Sequence, residues 1–199
     1  KNKNRMKLIL IISFFVFFSS CIRMQKKSIL TVNQEESIIQ FVSCSGRGTI
    51  SSIGNFNGQL SFDFLAQNDS SFFQFSDFLG RKVLLLALTS DSANAWNLIE
   101  NKKYNHSQIN DLLPVLSFIQ PIDLTHFLWG KNISFDHIDS LQFDNAKIIL
   151  EKSSPDDSFL NKAIFSDGTN RSELSIIIKS RIQSADFIDL RKYWNIILG

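Results

Sequence analysis

The sequence predicts an α+β domain, mainly antiparallel β-structure with a helical stretch in its middle. Three observations predict it. Short strand-like runs recur at roughly ten-residue spacing between Thr49 and Ile99. Turn residues separate them, led by Asn57-Gly58, Asn68-Asp69 and Asp77 to Arg81. Helical patterns with capping residues gather between Ser107 and Gly130. Strand follows strand without an intervening helix in the first half, which argues for a meander and against βαβ units.

The chain begins with a targeting pattern. Lys1, Lys3, Arg5 and Lys7 form a basic stretch without an acid, and the apolar run Leu8 to Phe18 follows, broken only by Ser13. As a helix those eleven residues reach about 16 Å, roughly half of a bilayer core, so they read as a signal peptide and not as a span. Phe18-Ser19-Ser20-Cys21 resembles a lipobox, with Phe18 where leucine is usual. Residues 1–20 are therefore expected to be removed, with Cys21 carrying an N-acyl diacylglycerol. Met6 before Lys7 is the expected start. Ile22 to Ser28 is short and basic and reads as a tether (21–28), leaving 29–199 as one domain. The whole chain carries a formal net charge of +2. Without residues 1–20, seventeen basic residues face nineteen acidic ones, a net charge of −2. The folded part therefore lacks the basic excess that nucleic-acid binding requires. If Cys21 is acylated, Cys44 has no disulfide partner and reads as a small buried apolar residue.

The elements follow in order. Leu30 to Val42 spaces its apolar residues by three and four, an amphipathic helix expected to end at Gly46 and Gly48. Thr49 to Ile53 is a short strand, and Asn57-Gly58 is the strongest hairpin signal. Leu60, Phe62 and Phe64 alternate with polar residues, as a half-buried strand does. Phe73 and Phe75 share one face of the next strand. Val83 to Leu88 is apolar on both faces, so both should be covered. Ser90 to Ala93 turns, Trp96, Leu98 and Ile99 mark a fifth strand, and Asn101 to Lys103 turns again. Ser107 and Asp123 are expected helix caps, for a helix through Ile109 to Leu113 that Pro114 shortens and for Leu124 to Trp129, closed by Gly130. Strands return at Phe143 to Glu151, Ala163 to Ser166 and Leu174 to Ser180, with a hairpin at Asp167-Gly168. The tail from Ala185 suits either strand or helix.

No catalytic signature appears. G-x-S-x-G, the P-loop, H-E-x-x-H and the Rossmann glycines are all missing, and His106, His126 and His137 stand apart from any ligand spacing. The chain therefore reads as no enzyme, with no metal and no cofactor beyond the lipid on Cys21. Apolar area is plentiful, with fifteen phenylalanines after residue 20. Much of it falls on one face of the meander, where a cavity under the helices would suit acyl chains. The residues expected to line it are Leu60, Phe62, Phe64, Phe73, Phe75, Leu84, Leu86, Trp96 and Leu128. An ordinary packed core is the other outcome.

Between Gly46 and Gly130 the order of elements resembles the LolB family, the outer-membrane lipoprotein receptors of Gram-negative bacteria. Ser45-Gly46-Arg47-Gly48 corresponds to the family's R-G opening, Phe78-Leu79-Gly80 to its P-L-G loop, and Pro121-Ile122-Asp123-Leu124 to Trp129-Gly130 to its P-L-x-x-L-x-x-W-I-L-G segment. Phe78 replaces the proline, and tryptophan lies nearer the glycine. The resemblance implies a strongly curved, open half-barrel sheet with helices covering its concave face. It implies a monomeric, non-enzymatic protein that takes lipoprotein acyl chains from a LolA-like periplasmic carrier. It places the protein on the periplasmic side of the outer membrane, and Phe78 and Leu79 on the loop that enters that membrane. A structural or interaction lipoprotein with the same half-barrel and no lipid cargo is the alternative.

Overall fold

The computed structural model describes residues 40–53, 57–109, 119–133, 147–166 and 173–199. These belong to one compact unit, Ile39–Gly199. Among them nine strands form one open antiparallel sheet: β1 (Ser43–Ile53), β2 (Gly58–Gln67), β3 (Ser70–Ser76), β4 (Lys82–Leu88), β5 (Ala93–Asn97), β6 (Lys102–Tyr104), β7 (Lys147–Lys152), β8 (Leu160–Ser166) and β9 (Glu173–Ser184). The spatial order is β6-β5-β4-β3-β2-β1-β9-β8-β7. The meander runs out to one edge at β6. The chain then passes through helix α1 (Pro121–Leu128), returns at the opposite edge as β7, and closes back on β1 through β9. Helix α2 (Arg191–Leu198) follows.

The two faces of the sheet carry separate cores. Strand alternation sends Phe62, Phe64, Phe73 and Phe75 to one side, called here the first face, together with Leu84, Leu86 and Leu88 of β4. Leu124, Phe127 and Leu128 of α1 join that cluster. Phe72, Leu85 and Ala87 point the other way, to the second face, and pack with Leu190 and Ile197 beside Tyr193 and Trp194 of α2. Every residue from Val83 to Leu88 is buried, as its unbroken apolar run requires.

Several boundaries differ from the sequence expectations. Gly46 and Gly48 do not end a helix; both lie inside β1. Each stands opposite a phenylalanine of β2, Gly46 to Phe64 and Gly48 to Phe62. A Cβ on Gly46 would collide with the Ser180 carbonyl and the Phe64 ring, and one on Gly48 with the Phe62 ring. The glycines are seats for the rings, and β1 shifts register against β9 between Arg47 and Gly48. Residues 40–42 have no helical structure, and the rest of the expected Leu30 to Val42 helix lies outside the described residues. β1 is longer than Thr49 to Ile53, and Gly58 already pairs with Ser52, so the β1–β2 connection is wider than a two-residue turn.

β5 starts earlier than expected, at Ala93. Leu98 and Ile99 belong to the following turn, and Lys102 and Lys103 to a sixth strand. Asn97 is the reason: its side-chain oxygen accepts the N–H groups of Ile99 and Glu100 at 3.0 and 3.2 Å, which bends the chain before the hydrophobic run ends. Asp123 is not the cap of α1 but its third residue; Gln120 is the N-cap, and its N–H donates to Asp123 Oδ2 at 3.2 Å. Gly130 closes α1 as expected, at φ 80°, with Gly130 N–H on Phe127 O and Lys131 N–H on His126 O, a Schellman motif. The Ser107 hydroxyl donates to Asn105 Oδ1, and Gln108 Oε1 accepts from Asn105 N–H; the helix that Ser107 is expected to cap lies, from residue 110 on, outside the described residues. The expected helix body at 110–118 and the hairpin at Asp167-Gly168 lie outside the described residues, although β8 and β9 do pair antiparallel. The ambiguous tail resolves as α2, because Leu190, Tyr193, Trp194 and Ile197 recur at helical spacing.

Candidate functional site

Four phenylalanines form the centre of the first face. Phe62 meets Phe73 and Phe75, each with ring centroids 5.6 Å apart, and meets Phe64 at 6.3 Å. Phe73 and Phe75 stack at 5.7 Å with their planes 5° apart. Phe64 and Phe73 are among the most deeply buried side chains. Leu84, Leu86 and Leu128 complete the same cluster, and Leu60 packs against it, partly buried. Eight of the nine residues expected to line a cavity are therefore together. Trp96 is not with them. It pairs across from Leu85 and belongs to the second face. A strand of five residues leaves no room for error in register, and a one-residue shift moves a side chain to the opposite face.

α1 is pinned over this face by directional polar contacts. Thr125 Oγ1 and Ser71 Oγ are 2.8 Å apart and buried, linking α1 to β3. Trp129 Nε1 donates to Asn68 O at 3.0 Å. Arg181 of β9 supplies the strongest grip. Its Nε donates to Leu128 O at 2.6 Å, its Nη2 to Phe127 O and Leu160 O at 3.2 and 2.8 Å, and its Nη1 to Asn161 Oδ1 at 3.0 Å. The guanidinium thus ties β9 and β8 to the C-terminal carbonyls of α1, the negative end of the helix dipole. No carboxylate lies within ion-pair distance of it among the described residues. Burial pulls the Arg181 pKa below the ordinary arginine value, with Cys44 and Asp157 opposing. Cys44 sits under the same helix end, fully buried, its thiol 3.7 Å from Leu128 O. Burial pushes that thiol up to about 11, against a smaller lowering by Arg181, so it is neutral and unreactive at ordinary pH. Arg181, Ser71 and Thr125 were not legible as site residues, because their partners lie more than fifty positions away for α1.

A cleft of about 490 Å³ opens beside the α1 C-terminus, lined by Trp129, Lys131, Lys152, Phe159 and Gln183 among others. It shares none of the nine expected cavity residues.

The β3–β4 turn carries the second part of the candidate site. Phe78 is 90% exposed and Leu79 64%. The turn under them is well fixed. Asp77 Oδ1 accepts the N–H groups of Leu79 and Arg81, both at 2.9 Å, and Asp77 Oδ2 pairs with the Arg81 guanidinium at 2.7 Å. Gly80 takes φ 78°, which only a glycine adopts without strain. Burial works against the Asp77 carboxylate, but the bonds from Arg81 and Leu79 outweigh it and hold its pKa below the ordinary aspartate value. Two large apolar groups are therefore displayed by a rigid turn, with Arg81 and Lys82 directly behind. Such a display is unusual on a surface that meets only water.

Of the histidines, His106 Nδ1 accepts the Ala93 N–H at 3.2 Å, and His126 Nε2 lies 3.4 Å from Asp69 Oδ1. His137 and Cys21 lie outside the described residues. Among the described residues no three metal-ligating side chains converge, and no helix is long and apolar enough to cross a membrane. No protein-family model matches the chain, and no curated protein matches it.

Proposed function

We propose that this protein is a LolB-like lipoprotein acceptor, held by a lipid on Cys21 at the periplasmic side of the outer membrane. One observation carries the reading: a hydrogen-bonded turn that displays Phe78 and Leu79 to solvent, on a sheet with a continuous aromatic first face. In this reading the sheet is a strongly curved half-barrel with the first face concave, and α1 is part of its cover. An acyl chain in water costs about 0.8 kcal/mol per methylene, so a long chain needs on the order of 10 kcal/mol of shelter. The first face would offer it, and the membrane beyond Leu79 would offer more. Cargo then moves downhill from a LolA-like carrier without nucleotide and without a covalent step.

Transfer measured in two stages tests this. A lipoprotein loaded on a periplasmic carrier is presented first to the protein and then to vesicles. Leu79→Glu is expected to accept cargo normally, to keep its thermal midpoint, and to deliver poorly. A lower midpoint with delivery in proportion to folded protein would make Leu79 a folding residue and sink the reading.

The stacked, mutually touching rings of Phe62, Phe73 and Phe75 favour a second reading, a structural or interaction lipoprotein with a filled interior. Absence of saturable binding of a fluorescent fatty acid by folded protein would select it.

A further inference from the structure

The turn after β5 repeats the design of the turn after β3. In the first, Asp77 accepts the N–H of Leu79; in the second, Asn97 accepts the N–H of Ile99. Two apolar residues follow the anchor in each, Phe78-Leu79 and Leu98-Ile99. Each turn then places a residue in the left-handed region, Gly80 at φ 78° and Asn101 at φ 51°. Each ends in a basic pair, Arg81-Lys82 and Lys102-Lys103. Ile99 is 73% exposed, more than Leu79. Leu98 instead packs on the second face and roots the turn.

Antiparallel order brings both turns to the same end of the sheet, since β3 and β5 run in the same direction. Leu98 N–H donates to Val83 O at 2.9 Å, which fixes the second turn beside the start of β4. The two hairpins are offset by two strands, about 10 Å. Charge at this end is arranged to match. Arg81 is committed to Asp77. Lys82, Lys102 and Lys103 have no carboxylate within ion-pair distance among the described residues. The Lys102 and Lys103 ammonium groups rest instead over the rings of Tyr104 and Trp96, at 4.6 and 5.5 Å. Of the acids in the two turns, Asp77 is spent on its own turn, and Glu100 lies 3.4 Å from the Tyr104 hydroxyl.

We infer that the two turns form one docking edge for an anionic bilayer surface, with Leu79 and Ile99 entering the interface and Lys82, Lys102 and Lys103 meeting lipid phosphates. The inference rests on the acceptor reading of Leu79 and adds a second point of contact to it. One tip leaves a protein free to swivel. Two tips about 10 Å apart hold the end of the sheet parallel to the membrane, which presents the first face in one orientation. Apolar side chains backed by unpaired lysines are what an anionic interface selects.

The test places an environment-sensitive fluorophore on the full-length protein in vesicles, with spin-labelled lipid as quencher. The label is attached at Leu79→Cys, at Ile99→Cys, or at Ser90→Cys on an exposed turn at the opposite end. Cys44 is buried and does not take label. Labels at 79 and 99 are expected to be quenched on vesicles containing phosphatidylglycerol, and the label at 90 is not. Lys102→Gln with Lys103→Gln should release position 99 while position 79 stays quenched. Quenching at 79 without quenching at 99 would overturn the docking edge and leave the acceptor reading standing. Quenching at neither would overturn both. Shielding of position 99 without vesicles, together with crosslinking to a second copy, would make this end a protein interface and overturn the inference.

Discussion

α1 and α2 lie on opposite faces of one sheet and are held there by different chemistry. On the first face, Arg181, Thr125 and Trp129 fix α1 through bonds to named carbonyls and hydroxyls, so its position is set by direction as well as by burial. On the second face, α2 lies on Phe72, Leu85 and Trp96 through apolar contact, with the Tyr193 and Phe72 rings 5.2 Å apart. The polar links there hold the approach to the helix and not the helix: Ser43 Oγ donates to Asp186 O at 2.6 Å and Ile188 N–H to Gln67 Oε1 at 2.9 Å. The Trp194 Nε1 is buried without a partner among the described residues. A helix held only by burial tolerates sliding, whereas one gripped by a guanidinium does not.

This contrast is open to measurement. The largest effect is expected at Phe64→Ala, which empties the space above Gly46 and should cost about 3–5 kcal/mol in urea denaturation. Arg181→Met should cost about 1–3 kcal/mol, because three carbonyls lose their donor in a partly buried setting. Arg181→Lys should recover little of it, since an ammonium cannot span the same fork. On the second face the smallest effect is expected. Trp194→Phe removes only an unpaired N–H and some edge area, and should change stability by less than about 1 kcal/mol. Equal costs for Arg181→Met and Trp194→Phe would erase the distinction between the faces.

Much of the sheet was legible from local pattern. The alternation around Phe62, Phe64, Phe73 and Phe75 assigns a face, and the unbroken run from Val83 to Leu88 announces cover on both sides. The exposed Phe78 and Leu79 could be found because apolar residues between Asp77 and Gly80 contradict the usual turn chemistry. What failed was non-local. Gly46 and Gly48 read as terminators until the rings of Phe64 and Phe62 on the neighbouring strand are known. Trp96 lies on the second face because its register sets it opposite Leu85, a pairing fixed by the neighbouring strand. Arg181 carries no sequence signal at all, since its acceptors are backbone carbonyls that any residues provide. The resemblance of the Asp77 and Asn97 turns was in the sequence, but an Asx residue followed by two apolar residues means little until both are seen at one end of a sheet.

β1 begins at Ser43, at the end of the sheet away from Leu79 and Ile99. The described chain therefore enters the sheet at the pole opposite the two tips, the height of β1 away, eleven residues or about 36 Å. A bilayer that took in Leu79 and Ile99 would leave Ser43 and its partner Gln67 standing that far from its surface.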